Sequence, residues 1–335
     1  MIGLENYTSV FYYVLVIALA SELVANAVES LQKLFTSTFV GSVILGLLGN
    51  IPDLFIVAAA VLSGSSSVAL ATVLGGNVLA FTLGYALVIG STIYFHRESL
   101  LLSKDMRREL LFLISSSVLV LVSAASGRFA WWTGVIMFGL FSVYVAAGTR
   151  RQSSRLRSMN RKIEGMPDNE AKSVMEIVRP ARREMVYSSA KIAVAAFILT
   201  YSARPFVDAI TAISRSAHIP LLLVAVIAVP IAAETPELVS SFILSRRSSE
   251  GANVAVANLI GSKVQSNTLV LGLSIVFAAA LGSPIVVGAD LLPIVVLLAV
   301  NLYSLKATYD LELTSSDAVV SFLLYPIVIL AMIVL

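Results

Sequence analysis

Long apolar stretches separated by short polar breaks dominate this chain of 335 residues. A helix needs about 20 apolar residues to cross a bilayer. The chain is 58% hydrophobic and 13% charged, which lies outside the range of soluble globular domains. We therefore predict an all-α polytopic integral membrane protein with ten transmembrane helices near residues 9–33, 39–62, 67–95, 109–126, 129–149, 187–212, 218–244, 252–280, 284–304 and 315–335.

The basic residues predict the orientation of these helices. Cytoplasmic loops of membrane proteins hold an excess of Lys and Arg. With both chain termini outside (N-out/C-out), the inward loops collect most basic residues, including Lys33, Arg97, Lys104, Arg107, Arg108, Arg246, Arg247 and Lys306. We expect a multi-pass protein of a prokaryotic plasma membrane, since no targeting segment is evident.

One long polar stretch divides the predicted spans into five and five. The division gives a first five-helix repeat at 1–149, a basic cytoplasmic linker at 150–186 and a second five-helix repeat at 187–335. Because five is odd, the second half enters the membrane with opposite polarity, as in many secondary transporters. Short motifs recur at nearly constant offsets: Pro52-Asp53-Leu54 with Pro236-Glu237-Leu238, and Gly75-Gly76-Asn77 with Gly261-Ser262-Lys263. The sequence predicts two inverted repeats.

Acidic residues lie near the middle of two predicted spans. Asp53 lies in the second span, and Glu234 and Glu237 share one face of the seventh. A charged side chain at mid-bilayer costs roughly 3 kcal/mol or more, so it normally faces a cavity, a partner or an ion. We interpret the two stretches as halves of one ion site. Proline and glycine beside them are expected to break the helices and free backbone carbonyls.

The motif Ala233-Glu234-Thr235-Pro236-Glu237, with Ala257-Asn258-Leu259-Ile260-Gly261-Ser262 downstream, resembles the second α-repeat of the cation/calcium exchanger superfamily, and Gly49-Asn50-Ile51-Pro52-Asp53 resembles the first. The resemblance implies that Asp53 and Glu237 face each other at mid-membrane and bind Ca²⁺. It also implies that Ser262 and Ser266 contribute oxygens. Ca²⁺ prefers six to eight hard oxygen ligands, and Glu234, Asn50 and Asn77 are further candidates.

Departures from the family pattern bear on the counter-ion. Where the family has hydroxyls before each acid, this chain has Gly49-Asn50 and Ala233-Glu234, and Gly76 replaces a serine. Loss of hydroxyls weakens the case for Na⁺, whereas an added acid and base favour protons. We expect Lys263 to pair with Glu234 and to stand where relatives bind a monovalent counter-ion. A purely structural tether remains the alternative.

These observations predict a secondary active antiporter that exchanges a divalent cation, Ca²⁺ first, against H⁺ or Na⁺ by alternating access. A transport-inactive cation-binding membrane protein is the alternative. The chain is not expected to be an enzyme, since an intramembrane protease would use two aspartates in Tyr-Asp and Gly-x-Gly-Asp contexts. No cofactor and no nucleic acid are expected. The expected partners are inorganic cations and the lipid bilayer, and the chain could be a monomer or a homo-oligomer.

Overall fold

The computed structural model describes residues 4–34, 49–104, 106–164 and 182–335, and these are almost entirely helical. The α-helices of this part of the chain are α1 Leu4–Leu34, α2 Ile51–Leu62, α3 Ser66–Leu79, α4 Tyr85–His96, α5 Met106–Ala125, α6 Trp131–Glu164, α7 Arg182–Ala217, α8 Leu221–Arg247, α9 Ser249–Gln265, α10 Leu271–Ala280, α11 Leu291–Thr308 and α12 Ser315–Val334.

The predicted spans correspond to these helices. Within the described residues, nine helical stretches are long and apolar enough to cross a membrane, and the shorter apolar helix α2 makes up the described part of the second predicted span. Residues 39–48 of that span lie outside the described residues. The prediction of a helical polytopic membrane protein is confirmed.

Two π-helical turns mark the internal repeat. The first, Ala80–Gly84, joins α3 to α4, and the second, Ser266–Val270, joins α9 to α10. They lie 186 residues apart, the same offset as between Gly75 and Gly261. In the described residues, each half therefore has a π turn inside its third span. This correspondence fits two repeats of five spans.

Short backbone pairings join the loops at both ends of the bundle. Strand β1, Leu100–Leu101, pairs antiparallel with strand β2, Glu312–Leu313. In the loops that follow α5 and α10, Phe129 N donates to Ile285 O at 2.9 Å and Val287 N donates to Gly127 O at 3.0 Å. A short 3₁₀ turn, Gly288–Asp290, follows this second pairing. The ninth span therefore begins at Leu291 rather than near residue 284.

The prediction of helix breaks at Gly75-Gly76 and Gly261 is wrong. These glycines lie inside α3 and α9, and the irregular turns begin about five residues later. The glycines instead permit close packing. A Cβ on Gly75 would lie 2.9 Å from Pro230 Cγ and 3.1 Å from Val226 O on α8. Backbone proximity, rather than helix breaking, explains the glycine at 75.

Proline does not break the helices either. Helix α8 continues through Pro230 and Pro236, and Pro52 lies in the first turn of α2, where no backbone N–H is needed. Pro236 cannot donate to Ala232 O, which instead lies 3.5 Å from the hydroxyl of Ser21 on α1. The carbonyl freed by proline thus contacts a neighbouring helix.

The predicted linker begins as helix. Helix α6 continues beyond its apolar part to Glu164, and α7 begins at Arg182. Residues 165–181 lie outside the described part of the chain. The predicted domain boundaries at 149 and 187 therefore fall within helices.

Candidate cation site between the two repeats

Asp53 lies in the first turn of α2 and is buried, with 3% of its surface exposed. The hydroxyl of Ser266, at the start of the second π turn, donates to Asn50 Oδ1 at 2.8 Å and lies 3.5 Å from Asp53 Oδ2. Asn50 and Ser266 are also buried. The structure therefore brings together three of the predicted site residues, with one hydroxyl from the second repeat against two side chains from the first.

Glu237 on α8 corresponds to Asp53 in the repeated motif of proline, acid and leucine. Ser262 Oγ donates to Glu237 Oε2 at 3.3 Å. Ser262 and Ser266 are four residues apart, so they lie on neighbouring turns of one helix face. Helix α9 and the π turn that follows it therefore contact both acids, Glu237 through Ser262 and Asp53 through Ser266. Glu237 is the more accessible acid, since 26% of its side chain is exposed.

Lys263 is fully buried beside the acids. Its Nζ forms an ion pair with Glu234 Oε1 and lies 3.7 Å from Glu237 Oε2. Glu234 is itself buried, with 8% of its side chain exposed. A buried charge without a partner is strongly unfavourable, so each member of this pair requires the other. The expected partners are thus in contact, and Glu234 is engaged by a lysine.

The Glu234–Lys263 pair fits against a glycine. A Cβ on Gly76 would lie 2.7 Å from Glu234 Oε1 and 3.5 Å from Lys263 Nζ. Any side chain at position 76 would therefore push the Glu234 carboxylate away from the ammonium. The backbone of α3 therefore forms one wall of the pair.

Asn77 belongs to a separate polar cluster. Its Nδ2 donates to Asn267 Oδ1 at 2.8 Å, and Asn267 Nδ2 donates to Ser116 Oγ at 3.2 Å. Next to it, Asn301 Nδ2 donates to Ser117 Oγ at 2.8 Å. The Oδ1 of Asn77 is buried without a hydrogen-bond partner. The hydrogen bond of Asn77 thus leads toward α5, and Asn77 remains a site residue by prediction only.

The other members of this amide cluster are not among the residues predicted from the sequence. A signal was present: Asn267, Asn301 and the serines at 116 and 117 interrupt apolar spans. Polar groups inside a membrane need partners, so such residues predict contacts between helices. The identity of the partners depends on how α5, α11 and the second π turn pack.

The arrangement suits a hard cation that is bound by two carboxylates and several neutral oxygens. In the described residues, no three Asp, Glu or His side chains are grouped so as to hold a metal ion together, and the chain has no cysteine. A cation at this position would use the carboxylates of Asp53 and Glu237 with neutral oxygens of Ser262, Ser266 and Asn50. Ca²⁺ accepts such a set of oxygens, and a serine hydroxyl can rotate to present its lone pairs.

Comparisons with known proteins agree with this architecture. The model of the family described as "Sodium/calcium exchanger protein" matches residues 7–149 and 188–334. The structure resembles the H⁺/Ca²⁺ exchanger CAX, with 18% identity, a TM-score of 0.76 and coverage of 98% of this chain and 86% of that one.

Two further solved structures have the same fold. Native YfkE is 16% identical, with a TM-score of 0.74 and coverage of 97% and 92% of the two chains. The sodium-calcium exchanger NCX_Mj is 17% identical, with a TM-score of 0.61 and coverage of 98% of each chain. Comparison with curated proteins gives no significant match.

Proposed function

Because the chain belongs to the sodium/calcium exchanger protein family, we propose that it is a secondary active antiporter that moves a divalent cation, Ca²⁺ first, by alternating access. The family is one of transporters, so the chain is a multi-pass membrane transporter rather than an enzyme. Of the solved structures described above, the one with the highest TM-score, 0.76, is an H⁺/Ca²⁺ exchanger by name.

The contact of α9 and the following π turn with both acids carries the proposal. Asp53 and Glu237 come from equivalent positions of two repeats, and Ser266 and Ser262 of one helix face reach them. In inverted-repeat transporters, the substrate site lies near the bilayer midplane between the repeats. Rocking of one group of helices against the other would then expose the same oxygen atoms to each side in turn.

The charge of the site favours protons as the counter-ion. Ca²⁺ balances the two carboxylates of Asp53 and Glu237, and its departure would leave two negative charges in a buried site. Protons can neutralise them without any further ligand. A Na⁺ ion would need neutral oxygens, but Gly76 supplies no hydroxyl, and Glu234 and Lys263 occupy the space beside it.

Neutralisation of each acid tests the site. Asp53→Asn and Glu237→Gln should each abolish Ca²⁺ flux into proteoliposomes, and the double variant should be no worse than either single, because both acids would hold the same ion. The control is Asp310→Asn, which changes an exposed acid in a loop and should retain flux. Size-exclusion profiles should show that all variants fold. Substantial flux in either single variant would remove that residue from the site.

A transport-inactive cation-binding protein is the second candidate. The observation in its favour is the buried ammonium of Lys263, which lies against two of the three acids and would oppose a cation. Binding of Ca²⁺ to purified protein without flux in proteoliposomes would favour this alternative over the antiporter.

A further inference from the structure

A single buried ammonium reaches two carboxylates of the site. Lys263 Nζ is ion-paired with Glu234 and lies 3.7 Å from Glu237 Oε2. Glu234 and Glu237 are three residues apart on α8, so they lie on neighbouring turns of the same face. The oxygen of Glu237 nearest to the ammonium is also the oxygen that Ser262 contacts. The lysine and the proposed substrate site thus share one carboxylate.

The walls of the site fix the position of the ammonium. Lys263 has no exposed surface, and α3 approaches so closely at Gly76 that a Cβ there would lie 2.7 Å from Glu234 Oε1. Glu234 is therefore held between the backbone of α3 and the lysine. Glu237 Oε2 lies 3.7 Å from the ammonium and would attract it if Glu234 lost its charge.

Coulomb's law makes the shared carboxylate a point of competition. A Ca²⁺ ion bound to Glu237 would lie about 2.3–2.6 Å from its oxygen, and hence close to the ammonium. Like charges at such a distance repel strongly in a protein interior. The attraction of Glu234 for the ammonium opposes this effect, because it draws the positive charge away from Glu237.

We propose that Lys263 is a tethered cation that competes with the transported divalent ion for Glu237, and that Glu234 is the positioning residue that holds it back. This inference rests on the proposed function, because it takes Glu237 as a ligand of the transported ion. It assigns Glu234 to the lysine rather than to the substrate. It also gives the protein a built-in limit on its affinity for divalent cations.

A competing lysine and a purely structural ion pair predict different changes in Ca²⁺ affinity. If the pair only ties α8 to α9, removal of one charge weakens the fold, and removal of both leaves Ca²⁺ affinity at the wild-type value. If Lys263 competes, Glu234→Gln frees the ammonium for Glu237 and weakens Ca²⁺ binding. The double variant Glu234→Gln with Lys263→Met removes the competitor and strengthens binding beyond that of the wild type.

The test measures equilibrium binding of ⁴⁵Ca²⁺ to purified protein and the Ca²⁺ dependence of flux. We expect Glu234→Gln to raise the half-saturating Ca²⁺ concentration about tenfold or more, and the double variant to lower it below the wild-type value by a similar factor. A double variant whose Ca²⁺ affinity equals or falls below the wild-type value, or a Glu234→Gln variant with unchanged affinity, would overturn the proposal. Absence of Ca²⁺ binding and flux in the wild type would contradict the proposed function instead.

A glycine substitution provides a second test that changes no charge. Gly76→Ala places a methyl group against Glu234 Oε1 and should push the carboxylate away from the ammonium, so it should weaken Ca²⁺ binding in the same direction as Glu234→Gln. Gly90→Ala on α4 is the matched control, since a Cβ there meets nothing within 4 Å. If the Glu234 variants do not fold, Gly76→Ala decides: equal affinities for the two glycine variants would overturn the proposal.

Discussion

Ser266 is the residue at which the two repeats meet most directly at the site. Its hydroxyl donates to Asn50 Oδ1 and lies within reach of Asp53 Oδ2, so it orients both side chains of the first repeat. We expect Ser266→Ala to raise the half-saturating Ca²⁺ concentration about fivefold, as loss of a hydrogen bond or ligand worth about 1 kcal/mol would. Flux titrations provide the measurement.

The matched control for this variant is Ser274→Ala on α10. Ser274 is also buried, but its hydroxyl donates to Val270 O, four residues earlier in the same span. Its removal should leave the Ca²⁺ dependence unchanged. Equal shifts for the two serine variants would show that Ser266 acts through general packing and not through the site.

The charged residues of the candidate site could be predicted from the sequence, whereas the contacts within the amide cluster could not. Asp53, Glu237 and Lys263 stand out because a charge inside an apolar span is costly and needs a reason. Asn267 and Asn301 carry no charge, and their partners on α5 are more than 150 residues away in the chain. Such contacts depend on the packing of three helices, which hydropathy does not encode.

At the scale of single helices, glycines set how closely α3 and α8 approach. Gly75 faces the ring of Pro230 and the backbone of Val226, neither of which can move freely. We expect Gly75→Ala to lower the thermal unfolding midpoint in detergent, because overpacking typically costs about 1–3 kcal/mol. In Gly139→Ala on α6, a Cβ meets nothing within 4 Å, so the higher helix propensity of alanine should leave stability equal or increased. The opposite order of midpoints would contradict the packing model.

Within the described residues, the apolar spans could be predicted from the sequence, whereas the two π turns could not. The apolar stretches are long, so the spans could be assigned with boundaries that differ by only a few residues for most helices. The π turns follow the glycines by about five residues and contain no proline. They arise from an extra residue in the helical turn, which depends on the packing around it and carries no compositional signal.

For the whole molecule, the distribution of basic residues predicts the orientation. If the linker is cytoplasmic, Ser154→Cys should react with an impermeant thiol reagent only after the cells are permeabilised. The chain contains no cysteine, so the introduced thiol would be the only one to react. Equal labelling of intact and permeabilised cells would contradict the N-out/C-out orientation.

The loop pairings at both ends of the bundle allow a second test at this scale. Leu101 and Glu312 are direct neighbours in the antiparallel pair β1–β2, and such neighbours are close enough for a disulfide. We expect the double variant Leu101→Cys with Glu312→Cys to cross-link on oxidation and to retain Ca²⁺ flux, because neither strand adjoins the acids. Loss of flux that is restored by reduction would show that the two loops must separate during transport.

Ca²⁺ flux driven by an imposed pH gradient decides whether the chain is a proton-coupled antiporter. Proteoliposomes with an acidic interior should accumulate ⁴⁵Ca²⁺ against its gradient, and collapse of the pH gradient with a protonophore should stop the accumulation. Vesicles with Asp53→Asn should accumulate none, and a Na⁺ gradient alone should not drive uptake. Accumulation driven only by Na⁺ would contradict the proton as counter-ion. Uptake that responds to neither gradient, or that is equal in the wild type and Asp53→Asn, would contradict antiport at this site.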